Sequence, residues 1–478
     1  MKLKELLPNT EKFCDTEITS LTDDSREVIK GSAFVCINGP TVDGHKFAQN
    51  AVNAGAAVVI CERDLGLPNQ IIVDDTHTVF ADMCARKFGN PAKKLHIIGV
   101  TGTNGKTSVT YMIKKILEAN GEKVGLIGTI RNMIGEKEIE SNNTTPGIYD
   151  LNSLFAQMVQ EGCTYVVMEV SSHALHQQRV CGFRFNEAVF TNLTQDHLDY
   201  HETMENYFLA KCILFDMCDT AIINADDPYG ARLLEKVTCK KVSYSLGNES
   251  TFSAKNIKFR PDGVDYELFY SGEINHISVS TAGRFTVYNS MAAAACAVMA
   301  GIAPATASTA VSALEGVKGR AEVVPNDLGF TIIIDYAHTP DGLKNILSAF
   351  RDCEKNRLTV LFGCGGDRDK TKRPIMGSVA VHNADNVIIT SDNPRTEEPS
   401  AIIADIVEGT HGMNTPIKVI ENRIEAIKYA VSSALPGDIV VLAGKGHEDY
   451  QILKTGKIHL DEREVVLDAI KELKNSRG

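Results

Sequence analysis

The run from Leu95 to Leu117 narrows the possible folds of this chain more than any other segment. Leu-His-Ile-Ile-Gly-Val is a short apolar run of strand character, and Thr-Gly-Thr-Asn-Gly-Lys-Thr is a polar glycine turn. Val109, Met112, Ile113, Ile116 and Leu117 then recur at helical spacing. Strand, turn and helix in direct succession predict a parallel α/β layer, with Gly121 closing the helix. In that setting Gly102–Thr107 reads as a phosphate loop. Its N–H groups and the helix N-terminus can cradle nucleotide phosphates, Lys106 can neutralise them, and Thr107 can reach Mg²⁺. The spacing departs from G-x-x-x-x-G-K-[ST] because position 100 is Val, so a purely structural glycine turn is the competing reading.

A chain of 478 residues exceeds what one core organises, and two or three domains are expected. The first ninety-odd residues alternate strand-like runs (Ala33 to Ile37, Ala57 to Cys61, Ile71 to Val73) with helical patterns such as Phe47 to Ala54, a small α/β domain. After the phosphate loop, runs at Tyr165 to Val170, Ala188 to Thr191 and Ala221 to Asn224 alternate with helical segments, the pattern of a doubly wound parallel sheet. From Thr251 to Ala282 the texture becomes alternating, as in Val-Asp-Tyr-Glu-Leu-Phe-Tyr, which predicts an antiparallel excursion at the sheet edge. A third α/β unit starts near Phe330, with strand candidates in FTIIID, TVLFGC, NVIIT and DIVVLAG. Leu343, Ile346, Leu347 and Phe350 form a helical stripe behind Thr339 and Pro340 as N-cap and first turn. The linker is expected between about Leu314 and Asn326.

The net charge of -12, from 49 basic and 61 acidic residues, argues against a nucleic-acid partner, whose phosphates need clustered Lys and Arg. The twelve cysteines contain no C-x-x-C pair, which fits a reduced, cytoplasmic protein. The opening Met-Lys-Leu-Lys-Glu-Leu-Leu-Pro lacks a signal-peptide core, and no run approaches the roughly 18 apolar residues of a membrane span.

Two further motifs end predicted strands, Met168-Glu-Val-Ser-Ser-His173 and Asp196-His-Leu-Asp-Tyr-His201. Ligands in open α/β sheets bind at the carboxyl ends of strands, which places Glu169 and His197 beside the loop, able to hold Mg²⁺ between nucleotide and substrate oxygens. For His197 a satisfied structural role competes with this. Lys211 lies in Tyr207-Phe-Leu-Ala-Lys-Cys-Ile-Leu-Phe215, odd surroundings for a charge, where a snorkelling surface lysine is the bland alternative.

GVTGTNGKT, NTTP, MEVSSHAL, TNLTQDHLDYH, INADD, DYAHTPDGL, FGCGGDRDKTKRP, DNPRTEEP and AGKGHEDYQ occur in this order along nearly the whole chain, which resembles the Mur ligases of peptidoglycan synthesis. The resemblance implies three domains: 1–95 for a UDP-sugar, 96–318 a central P-loop-type ATPase on a mostly parallel sheet, and 319–478 a Rossmann-like domain for an incoming amino acid. It also implies a cytoplasmic monomer that uses ATP and Mg²⁺, with no membrane insertion. The γ-phosphate of ATP would pass to the free carboxylate of UDP-MurNAc-L-Ala-D-Glu, and an amine of meso-diaminopimelate would attack the acyl phosphate.

Residue by residue, the resemblance assigns catalysis to Lys106, Glu169, His197 and Lys211, with Lys211 carbamylated and, together with Thr107, Glu169 and His197, near metal. ATP would be met by Gly102, Thr103, Asn104, Gly105, Lys106, Thr107 and Ser108, with Asn289 on the adenine side and Arg320, Asp335 and His338 from the C-terminal domain. The UDP-sugar dipeptide would contact Ser25, Asn143, Thr144, Thr145, Ser171, Gln177 and Arg179. Diaminopimelate would contact Arg368, Asp392, Asn393, Pro394, Arg395, Gly444 and Glu448.

Arg395 can grip the distal carboxylate bidentately, and lysine, lacking it, would leave a guanidinium unpaired at a cost of roughly a few kcal/mol. A surface pair of Arg395 with Glu397 or Glu398, and a plain turn role for Pro394, are the alternatives. Rival functions are a ligase of the same superfamily adding L-lysine, glutamate, D-Ala-D-Ala or folate-linked glutamate, a P-loop ATPase or kinase without ligation, and a noncatalytic UDP-sugar-binding module.

Overall fold

Three sheets follow one another along the chain in the computed structural model, which describes residues 1–8, 10–39, 42–141, 143–247, 249–260, 263–314, 316–351 and 356–477. The first is a four-stranded parallel sheet of Leu21–Thr22, Ala33–Val35, Val58–Cys61 and Gln70–Ile72. Ala33–Val35 and Val58–Cys61 are buried throughout, as strands covered on both faces must be.

The second sheet has eleven strands, and its centre sets the geometry of the site. His96–Thr101 lies between Phe185–Phe190 and Tyr165–Glu169, parallel to both. The alternating segment forms Phe252–Arg260, Gly263–Tyr270 and Glu273–Val279, antiparallel and at one edge as expected. Lys106–Ala119 packs on one face because Val109, Met112, Ile113, Ile116 and Leu117 fall on one stripe and are all buried, each contributing about 1.5–3 kcal/mol of transfer free energy. Arg284–Met299 covers the same face; its Ala292–Ala297 run is buried on every side, so small side chains let it lie flat against its neighbours. The other face is closed by Ile148–Gln160 and Met204–Asp216.

The third sheet runs Glu322–Val324, Thr331–Asp335, Ile439–Ala443, Leu358–Phe362, Asn386–Ile389, Ile417–Val419, parallel except for its first strand. Pro340–Arg351 buries the expected stripe Leu343, Ile346, Leu347 and Phe350, and the Thr339 hydroxyl accepts from Gly342 N at 3.1 Å as its N-cap.

Two expectations need correction. The linker is shorter than Leu314 to Asn326, because Glu322–Val324 is already a strand of the third sheet; Glu315 lies outside the described residues. The third unit has six strands in its sheet rather than four, and a separate hairpin of Tyr450–Leu453 and Gly456–His459 follows it. The missed strands are short edges, and Ile417–Val419 is exposed at every residue, so no apolar run marks it.

Candidate active site

The carboxyl ends of His96–Thr101, Tyr165–Glu169 and Phe185–Phe190 release three loops to one side of the second sheet. The first carries the glycine turn. Gly102 has φ +147°, and a Cβ there would sit 1.9 Å from Thr191 Oγ1; Gly105 has φ +88°, and a Cβ there would meet Asn289 Oδ1 at 2.4 Å. Both glycines are therefore required by backbone conformation and by close approach. The helix begins at Lys106, whose Nζ donates to Gly102 O and Thr103 O, both at 2.9 Å. Burial lowers the Lys106 pKa.

Glu169 is 1 % exposed and accepts from Thr107 Oγ1 at 3.0 Å, Thr129 N at 2.9 Å and Thr129 Oγ1 at 3.0 Å. Among the described residues no group of three or more His, Cys, Asp or Glu side chains is placed to hold a metal ion. A carboxylate beside a threonine hydroxyl is nevertheless the hard-oxygen pair that Mg²⁺ accepts while keeping waters and phosphate oxygens, so the donors present fit that ion. His197 lines the same cavity from a left-handed backbone, φ +54°. Burial pulls its pKa down to about 4 and holds the imidazole neutral at physiological pH, against the attraction of Asp196.

Lys211 does not snorkel. It is 2 % exposed, its Nζ donates to Gly102 O at 2.9 Å, and it lies 4.6 Å from the centre of the Tyr207 ring. Burial, reinforced by the charge of Lys106, holds its pKa well below the usual lysine value.

A cavity of about 280 Å³ is lined by Thr103 to Ser108, Glu169, His197, Asn289, Arg320, Asp335 and His338, together with Thr144 and Ser171. Every residue assigned to ATP lines it except Gly102, whose carbonyl lies behind the loop under Lys106 and Lys211. Arg320 reaches across from the third sheet's side to donate to Thr107 Oγ1 at 3.1 Å, and Asp341 accepts from Asn104 Nδ2 at 3.0 Å and Thr194 Oγ1 at 3.1 Å. Asp335 accepts from Ala321 N and Ala337 N, and burial raises its pKa. A second cavity of about 420 Å³ adjoins the first across Asn192, Phe285, Asn289 and Asn345, and is bounded by Asp226, Arg284 and Tyr288.

Beside Ser171 the other expected UDP-sugar contacts form a chain. Thr145 Oγ1 accepts from Ser171 N at 3.0 Å and donates to Glu169 O at 2.9 Å; Arg179 Nη1 donates to Thr145 O at 3.2 Å and its Nε to Gln177 Oε1 at 2.9 Å. Thr144 Oγ1 is 3.0 Å from Thr129 Oγ1. Ser25, between Asp24 and Arg26 in the first domain, and Asn143, whose carbonyl accepts from Ser141 Oγ, are not joined to this chain by any described hydrogen bond.

The amino-acid residues gather elsewhere, at the carboxyl edge of the third sheet. Asn393 Nδ2 donates to Glu448 Oε2 at 2.9 Å, and Lys445 Nζ to Asn393 Oδ1 at 3.0 Å. Asp392 is buried, and Gly444 N donates to Asp335 O at 3.0 Å, which links this edge to the nucleotide cavity. Arg395, after Pro394, has a left-handed backbone, φ +53°, and its Nη1 donates to Gly366 O at 2.8 Å. A non-glycine residue held there is strained, which concentrates at working sites. Glu397 pairs with Arg373 at 2.8 Å and Glu398 lies nearest Lys454, so the surface pair with Arg395 is not formed. Arg368 is exposed and donates to Asp367 O at 3.3 Å.

Sequence reasoning missed Thr129, Asp341 and Lys445. Asp341 and Lys445 stand inside motifs already recognised, DYAHTPDGL and AGKGHEDYQ, and that was the available signal; Thr129 has none.

Together these features define a phosphate-loop enzyme in which a second Rossmann-like unit closes on the nucleotide loop. Residues 17–87 match the catalytic domain of the Mur ligase family, 100–297 the Mur ligase middle domain, and 319–446 the Mur ligase glutamate ligase domain. The chain belongs to the Mur ligase family. It is 47% identical to the UDP-N-acetylmuramoyl-L-alanyl-D-glutamate--2,6-diaminopimelate ligase of Clostridium botulinum over 98% of this chain and 99% of that one. It is 45% identical to the protein of the same name from Bacillus velezensis, over 99% of each. A solved structure titled as that ligase superposes with a TM-score of 0.73 at 32% identity, covering 99% of both chains.

Proposed function

We propose that this chain is an ATP-dependent, ADP-forming ligase that adds meso-diaminopimelate to UDP-MurNAc-L-Ala-D-Glu in the cytoplasm, acting as a monomer through an acyl phosphate. The reading rests above all on the convergence of the Gly102–Thr107 loop, Glu169 and Arg320 around one cavity. It also accords with the domain plan 1–95, 96–318 and 319–478. No helix among the described residues is long and apolar enough to cross a membrane.

The loop N–H groups and Lys106 bind the phosphates, and Arg320 balances charge as the γ-phosphoryl group moves. The adjoining cavity beside Asn289 takes the nucleoside. Thr107 and Glu169 would hold Mg²⁺, which, when bound, screens phosphate from carboxylate. His197 borders the transfer site as a neutral ring. Thr144, Thr145, Ser171, Gln177 and Arg179 bind the sugar dipeptide, with Ser25 and Asn143 reaching its far end. Arg368 and Arg395 bind the carboxylates of diaminopimelate and Asp392, Asn393, Gly444 and Glu448 its amine end; the amine expels phosphate from the acyl phosphate to leave an amide.

Lys211 adds a further feature. An amine kept neutral by burial can add to carbon dioxide, forming an N–C bond and losing one proton, and the resulting carbamate is an anion beside the magnesium site. Mass measurement of the intact protein under bicarbonate should show the gain of one carbon dioxide, absent in Lys211→Ala.

The decisive assay is phosphate release with UDP-MurNAc-dipeptide, comparing diaminopimelate with lysine. ATP consumption that ignored both acceptors and yielded no amide would overturn the reading.

A further inference from the structure

At the third sheet's carboxyl edge Lys445 is wholly buried, with a side-chain exposure of 0%. Its Nζ donates to Asn393 Oδ1 at 3.0 Å and Glu448 Oε2 at 3.1 Å, and lies 3.3 Å from Asp392 Oδ1. One positive charge thus faces two carboxylates. Asp392 Oδ1 is buried and has no partner within hydrogen-bond geometry, while the Glu448 side chain is 13% exposed, the more open of the two acids. The other cations nearby are already engaged. Arg423 gives Nε to Glu462 Oε1 at 2.8 Å and Nη2 to Ala443 O at 2.9 Å, and Arg395 gives Nη1 to Gly366 O. His338 is kept neutral by burial.

A buried carboxylate pair with a single counter-charge is costly unless a second cation completes it. We propose that Lys445 is a positioning residue that holds Asp392 and Glu448 one positive charge short, so that an ammonium group of the incoming amino acid completes the cluster. Lys445 also fixes Asn393, whose Oδ1 accepts from Ile452 N at 2.9 Å, and Ile452 O accepts from Arg395 N at 3.1 Å. The same lysine therefore ties the amine-binding acids to the loop that carries Arg395. This inference rests on the amino-acid site assigned above and names what selects the amine within it.

The test is steady-state kinetics of the full chain with UDP-MurNAc-dipeptide, ATP and diaminopimelate. Lys445→Met should raise KM for diaminopimelate by about 10-fold or more, with KM for ATP within about two-fold. Without the lysine, burial favours a proton shared between Asp392 and Glu448, so the variant's KM for diaminopimelate should fall as pH rises from about 6.5 to 8.5, while the wild type changes little. A merely structural lysine would produce no such recovery. If Lys445→Met does not fold, Glu448→Gln serves: it leaves Lys445 matched by Asp392 alone and should raise the same KM by about 10-fold without lowering thermal stability. An unchanged amino-acid KM in either variant, or a rise shared equally with ATP at every pH, overturns the proposal. A wild-type chain that joined lysine instead would overturn the choice of amino acid, and the variants would then be read with lysine, which carries the same ammonium group.

Discussion

Lys211 and Lys445 are both buried, at 2 % and 0 % exposure, yet their neighbours differ in kind. Lys211 meets a carbonyl, Gly102 O, with Lys106 nearby as a like charge, and its pKa falls well below the usual value. Lys445 meets two carboxylates and an amide oxygen. Burial sets the cost of the charge, and the partner decides whether the charge is kept. One region of the molecule thereby acquires an amine whose proton is disfavoured by burial, and the other an amine ion-paired with two acids.

This contrast breaks most sharply at Lys211. Lys211→Ala should lower the rate of phosphate release by about 10³-fold with the fold retained by circular dichroism, because the loss falls on chemistry rather than on an ion pair. Activity above a tenth of wild type would erase the distinction. On the ion-paired side the loss should fall on stability instead. Arg423→Met leaves Glu462 buried without its 2.7 Å partner and should cost about 3–5 kcal/mol in urea unfolding.

Acid should find the first region before the second. Burial pulls the pKa of His201 down to about 4. The unfolded chain binds that proton near pH 6.5 and the native chain does not until about pH 4, so stability is present above 6.5 and falls as pH drops through this window, by up to about 3 kcal/mol. Urea midpoints at pH 7 and 4.5 should show the fall, and His201→Gln should flatten it. A slightly smaller effect is expected from Arg395→Ala, which should raise KM for diaminopimelate by about 10²-fold and leave KM for ATP within about three-fold. Equal loss of both would count against its assigned role.

The strand, turn and helix around Lys106 were legible because each signal agreed: an apolar run, two glycines in left-handed or crowded positions, and a stripe that is buried as its spacing implies. Glu169 could be placed beside the loop because topology alone puts the ends of neighbouring parallel strands together. Lys211 could not be distinguished from a surface lysine by its neighbours in sequence, since what buries it includes Gly102, 109 positions away. Thr129 was invisible for the same reason, its partner Glu169 lying 40 residues distant, while Asp341 carried only its place in a recognised motif, its partner Asn104 lying 237 residues away. Edge strands such as Ile417–Val419 escaped because exposure removes the apolar pattern that marks a buried strand.

The Gly102 carbonyl accepts from both Lys106 and Lys211 at 2.9 Å, so two amines hang on one oxygen. Were the deeper of them to take up carbon dioxide, an uncharged neighbour of Lys106 would become its counter-ion. Dissolved bicarbonate would then act as an electrical setting for the nucleotide loop, adjusted by a gas rather than by a change in sequence.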